Sequence, residues 1–146
     1  VKIRVRDSKP RDLGLFRKLL SDSFADEENE GLLVDGDENT MSFFDELFKS
    51  AVAVFFVADK GMLMLSENRS PASFKLGKVA SVMAFYVTTD ARDQGIEEAL
   101  LSAAVNRAKE LDFGGLTFST PSVGKWQTVS EELEFEPFML HAIRSL

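Results

Sequence analysis

Two stretches constrain the fold of this chain more than any others. "AVAVFFVAD" and "VASVMAFYV" are apolar at odd and even positions alike, whereas a strand with one wet face alternates apolar and polar residues. A strand apolar on both sides has to be covered on both sides. Residues 51–58 and 79–87 are therefore expected as buried strands of a sheet flanked by helices, which makes the fold α/β (α+β).

The segments around them fill in the order. "VKIRVR" alternates Val1, Ile3 and Val5 with Lys2, Arg4 and Arg6, the period of a half-wet strand. A helix follows to residue 24, with Ser8 as its expected N-cap, Pro10 in its first turn, and Leu13, Phe16, Leu20 and Phe24 at helical spacing. The pattern dissolves from Ala25 to Thr40, after which Ser42 and Asp45 predict a capping box and a short helix. A turn at "DKG" leads from the strand over 51–58 into a hairpin partner over 62–68. "QGIEEALLSAAVNRAKELDF" places Ile96, Leu100, Ala103, Ala104 and Leu111 on one face of the longest helix, with Gly114 and Gly115 as its stop. A strand over 116–120, a helix over 123–135 and a strand over 137–146 complete the chain. At 146 residues these elements read as a single domain, 1–146.

Composition narrows the chemistry. The chain has no cysteine and one histidine, His141, so no metal site of the thiolate or multi-histidine kind can be assembled and no metal is expected. The net charge is −7, and from Asp22 to Glu46 ten acidic residues run without a basic one. Nucleic acid is a poor partner for such a chain, because neutralising phosphates supplies most non-specific affinity. An amine-bearing small molecule or a basic protein surface suits it better. No apolar run approaches a membrane span, so no membrane partner is expected and the reading is a soluble, cytoplasmic protein. Asp35, Asp37, Asn39 and Glu46 fall at four of the spacings of a calcium loop, but Thr40 occupies the place of its turn glycine, and a capping turn from Asn39 to Ser42 is the simpler reading. Trp126 and His141 read as packing residues.

"FYVTTDARDQGIEEALL" runs from a buried strand through a polar loop into the longest helix. Unpaired N–H groups and the partial positive charge at such a helix start favour an anion, and Gly95 permits close approach. Within this order of elements, Arg92, Asp93, Gln94, Gly95, Ile96 and Glu97 resemble the acetyl-CoA pyrophosphate motif of the GNAT superfamily of N-acetyltransferases: Gln or Arg, two residues, Gly, one residue, then Gly or Ala. The resemblance spans nearly the whole chain. It implies a GNAT-like domain with a mixed, mostly antiparallel sheet, and acetyl-CoA held beside Val87 and the loop from Arg92 to Glu97. It also implies acyl transfer to an amine of a small molecule or protein, and leaves room for a homodimer.

Three positions depart from the pattern. Glu97 replaces the small residue, adding bulk and a like charge that weakens a bound pyrophosphate. Glu134 stands in place of the glycine of the family's Gly-Phe pair, with Phe135 matching. Ser130 stands where these enzymes frequently carry a tyrosine that protonates the departing thiolate. The remaining candidates for proton transfer are Tyr86 and Glu67, each of which also reads as a packing or solvated residue. These departures support the alternative of a GNAT-fold binding or assembly module without catalysis.

Overall fold

A computed structural model describes residues 2–26, 37–68, 77–118 and 132–135. Its five-stranded sheet has the order β1 (Arg6–Asp7), β2 (Ala53–Val57), β3 (Gly61–Glu67), β4 (Val79–Val87), β5 (Gly115–Thr117). Neighbours are antiparallel except β4 and β5, which are parallel. The helices α1 (Leu13–Phe24) and α2 (Glu38–Ser50) cover one face and α3 (Ile96–Glu110) the other.

The both-sided apolar runs explain this layering. Even positions of the central hairpin, Val54, Phe56, Met62 and Met64, pack with Phe16, Leu19 and Leu20 of α1 and Met41 of α2. Odd positions, Phe55, Val57, Leu63 and Leu65, pack with Ile96, Leu100, Leu101 and Ala104 of α3. Alternation thus persists in direction although polarity does not alternate. Each fully buried Phe, Leu or Met contributes about 1.5–3 kcal/mol, so this double-sided hairpin is the mechanical centre of the molecule.

Element ends differ from the sequence expectation. The first strand pairs only at Arg6 and Asp7, although Ile3 and Val5 do face the α3 side. Ser8 is not a helix cap: its N–H continues the sheet by donating to Val54 O at 2.8 Å. A 3-10 turn (Pro10–Asp12) intervenes, and the Asp12 carboxylate accepts the Lys9 N–H at 2.7 Å while holding Arg6 through two bonds of 2.8 and 3.0 Å. α2 begins earlier than expected, because the Asp37 carboxylate accepts the Thr40 N–H at 2.8 Å; neither Ser42 nor Asn39 is the cap. α3 ends at Glu110, which leaves Leu111 44% exposed rather than on the buried face. Its stop is Asp112, left-handed at φ 61, with Phe113 N–H bonded to Ala108 O and Asp112 N–H to Lys109 O. Gly115 is released to open β5. The helix expected over 123–135 and the strand over 137–146 lie outside the described residues apart from 132–135. Among the described residues no helix is long and apolar enough to cross a membrane.

Candidate functional site

The site is built where β4 hands over to α3. After Val87, the Thr88 N–H is tied to Lys60 O at 2.8 Å, and a 3-10 turn (Thr89–Ala91) leads into the loop over 92–95. Two left-handed residues shape that loop, Asp93 at φ 61 and Gly95 at φ 90. Gly95 is the N-cap of α3, and no side chain caps the helix. The first helical bond runs from Ala99 N–H to Gly95 O, so helix geometry leaves the N–H groups of Ile96, Glu97 and Glu98 without intrahelical partners. A Cβ on Gly95 would stand 3.2 Å from Ile3 Cδ1 in a backbone conformation that side chains resist.

The sheet opens at the same place. β4 pairs with β5 only through Val79, Ala80 and Ser81, and among the described residues nothing pairs with that edge of β4 over 82–87. On the other edge the register slips: Leu65 opposes Val82 and Met64 opposes Ala84. Met83 is therefore an extra residue, a bulge that turns backbone groups of β4 out of the regular ladder. A parallel pair that parts beyond its paired end, with a helix N-terminus at the strand's carboxyl end, is where open sheets receive ligands.

The side chains set a different electrostatic tone. Arg92 Nε donates to Val87 O at 3.2 Å, a terminal nitrogen donates to the Asp26 carboxylate, and the guanidinium lies 5.7 Å from the centre of the Tyr86 ring. Lys60 is paired with Asp90 at 2.7 Å, which raises the Lys60 ammonium and lowers the Asp90 carboxyl from their ordinary ranges. Lys60 and Arg92 thus both already carry carboxylate partners. Gln94 turns its amide back onto Asp90 O at 3.3 Å. Glu97 is 5% exposed, so its side chain does not swing into water; one Glu98 oxygen is buried without a hydrogen bond.

Val87, Arg92, Asp93, Gln94, Gly95, Ile96 and Glu97 come together as one loop and helix start. Tyr86 adjoins them, on the face covered by α1 and α2. Burial raises its phenol above the ordinary range, Asp26 adds to the shift and Arg92 opposes it. Glu67 does not join them. It is exposed, and it pairs with Ala80 whereas Tyr86 pairs with Met62, which places it roughly 17 Å down the sheet. Ser130, Trp126, His141 and Asp35 lie outside the described residues. Glu134 adopts φ 64, the backbone that a glycine there would take without strain, and Phe135 packs edge-on against Phe118 with ring centres 4.9 Å apart. Asn39 and Glu46 fall within α2 and Asp37 caps it, and among the described residues no group of His, Cys, Asp or Glu side chains could hold a metal. Asp26 has no counterpart in the sequence reading, since nothing local marks a contact across 66 positions.

Comparison with solved structures gives matches over nearly the whole chain. A predicted acetyltransferase with acetyl-CoA from Clostridium acetobutylicum matches at a TM-score of 0.75 and 15% identity, over 99% of this chain and 96% of that one. A probable acetyltransferase matches at 0.72 and 23% identity, over 99% and 97%. This chain has the GNAT fold. AAC(6')-Iy, in complex with the bisubstrate analog CoA-S-monomethyl-acetylneamine, matches at 0.70 and 17% identity, over 99% and 100%. No protein-family model and no curated protein matches the sequence.

Proposed function

We propose that this chain is an acyl-CoA-dependent N-acyltransferase that takes acetyl-CoA at the loop over 92–97 and transfers its acetyl group to an amine. The observation that carries the reading is Gly95, a left-handed N-cap without a side chain, which opens three N–H groups of α3 at the carboxyl end of β4. The backbone fits a pyrophosphate. An anion here gains from helix-terminal N–H groups even without a cationic side chain, and the pantetheine arm is expected along the unpaired edge of β4 beside Val87.

Bound acetyl-CoA would supply a thioester carbonyl open to attack by an amine. The chain's contribution is placement and charge stabilisation. Backbone groups freed by the bulge at Met83 can donate to an oxygen that gains negative charge. Tyr86, whose phenol is raised above its ordinary range by burial, carries a proton near the end of β4 that could pass to a leaving group, although the shift makes it a weaker acid. The acceptor is an amine of a small molecule or protein, favoured by the net charge of −7.

A second reading, a GNAT-fold module that binds without catalysis, draws on the buried Glu97 and on the pairing of Arg92 with Asp26. Both reduce the positive field at the cradle. Calorimetric titration with acetyl-CoA, followed by detection of free thiol in the presence of an amine panel, separates the two. Saturable binding with amine-dependent thiol release is the expected outcome; binding without release selects the module, and no binding by folded protein rejects the cofactor site.

A further inference from the structure

Arg92 is the one cation inside the loop sequence, yet its side chain is committed to the protein. The Val87 carbonyl, the Asp26 carboxylate and the face of Tyr86 surround its guanidinium, and the two charged side chains are only 15% and 8% exposed. Val87 is the last residue of β4, and Asp26 lies two residues past the end of α1, just after its C-cap Ala25. One planar fork therefore joins a strand end, a helix end and the loop itself.

We propose that Asp26 is a positioning residue for the cofactor loop: through Arg92 it pins the turn over 92–95 to the end of β4 and so presents the N–H groups of α3. The proposal rests on the cofactor reading for the purpose of the loop, though not for the existence of the clamp. The clamp offsets the cost of this turn, which holds a non-glycine residue, Asp93, in left-handed backbone, a conformation that aspartate adopts more readily than most side chains yet less readily than glycine. The opposite role, Arg92 swinging out to meet phosphate, would strip a buried carboxylate of its guanidinium, and breaking a buried pair from one side is strongly unfavourable. Asp26 thereby also couples the docking of α1 to the shape of the cradle.

Hydrogen exchange on the full-length chain, without ligand, reads the clamp directly. Asp26→Asn should speed exchange of the hydrogen-bonded amides at the two ends of the loop, Ala91 and Ala99, by about tenfold or more while leaving those of β2 and β3 protected. Asp26→Glu should restore most of the protection. Combining Asp26→Asn with Arg92→Gln should loosen the loop by less than the two single changes together. Asp7→Asn, which breaks the Arg107 pair at the far end of α3, should do nothing to the loop. The CoA dissociation constant of Asp26→Asn should rise by a similar factor. Unchanged loop exchange in Asp26→Asn, or tighter CoA binding, overturns the proposal. If Asp26→Asn does not fold, Arg92→Lys keeps the charge and loses the two-point fork, and unaltered loop exchange there overturns it equally. Absence of CoA binding in the parent chain would sink the cofactor reading while the exchange data still judged the clamp.

Discussion

Gly61 opens β3 directly beneath the start of α3, and a methyl group there is the sharpest test of how tightly that helix is seated. A Cβ on Gly61 would stand 2.9 Å from Ile96 Cγ2, 3.2 Å from Leu100 Cδ1 and 3.5 Å from Val87 Cγ2. Carbon atoms rest at about 3.5–4.0 Å, so the first contact overlaps by more than half an ångström. Ile96 is 6% exposed and Leu100 fully buried, which denies both side chains an escape into water. The strain has to be met by moving α3 outward from β3. Overpacking of this kind costs about 1–3 kcal/mol, and for a chain of this size roughly 3 °C of melting temperature is lost per kcal/mol. Gly61→Ala should therefore melt roughly 3–9 °C below the parent. Because Ile96 is the first residue of the helix whose N–H groups form the cradle, CoA binding should weaken as well, by about tenfold for a further 1.4 kcal/mol. Scanning calorimetry and titration calorimetry give the two numbers. Ile96→Ala removes the offending methyl, so the double variant should lose less than the sum of the singles. A parent-like melting temperature with parent-like CoA affinity would refute the argument, since it would mean that β3 and α3 have slack where the distances leave none.

Glu97→Ala removes a like charge from the cradle without introducing glycine, and it should tighten CoA by up to about a hundredfold if the charges lie about 5 Å apart at an effective dielectric near 20; weaker binding by titration would place the pyrophosphate elsewhere. Asp12 is held down to about 2, first by the Arg6 guanidinium and then by the Lys9 N–H. Its folded value lies below the unfolded one, so its stabilisation is complete above about pH 4 and disappears as pH falls toward 2. With Arg6 39% exposed, that stabilisation is about 1–2 kcal/mol after allowance for solvent screening; Asp12→Asn should melt below the parent at pH 7 and converge with it near pH 2, and an unchanged gap across that range would reject the pairing as its cause. Glu134→Gly relieves left-handed backbone at φ 64 and should stabilise by about 0.5–1 kcal/mol in urea denaturation, whereas a loss would show that the side chain makes a compensating contact.

Period and polarity by themselves determined the layered α/β architecture: the both-faced apolar runs over 51–58 and 79–87 became β2 and β4 with helices on either side. The strand-loop-helix around Gly95 was legible for the same reason, since a helix start and a glycine are local features. Tertiary structure alone decided the caps. Ser8 is a good N-cap residue in isolation, yet its N–H is taken by Val54 across the sheet, and Asp12 and Asp37 hold the backbone instead. Glu67 and Tyr86 both sit near strand ends; only the antiparallel register of β3 and β4 shows that they occupy opposite ends of the sheet. The largest difference concerns charge. Arg92 reads in the sequence as the first position of a pyrophosphate motif, and in the fold its side chain also holds Asp26, 66 positions away. Periodicity is written by short-range sterics and burial, which neighbouring residues specify, whereas an ion pair between distant segments exists only after the topology has brought two backbones together.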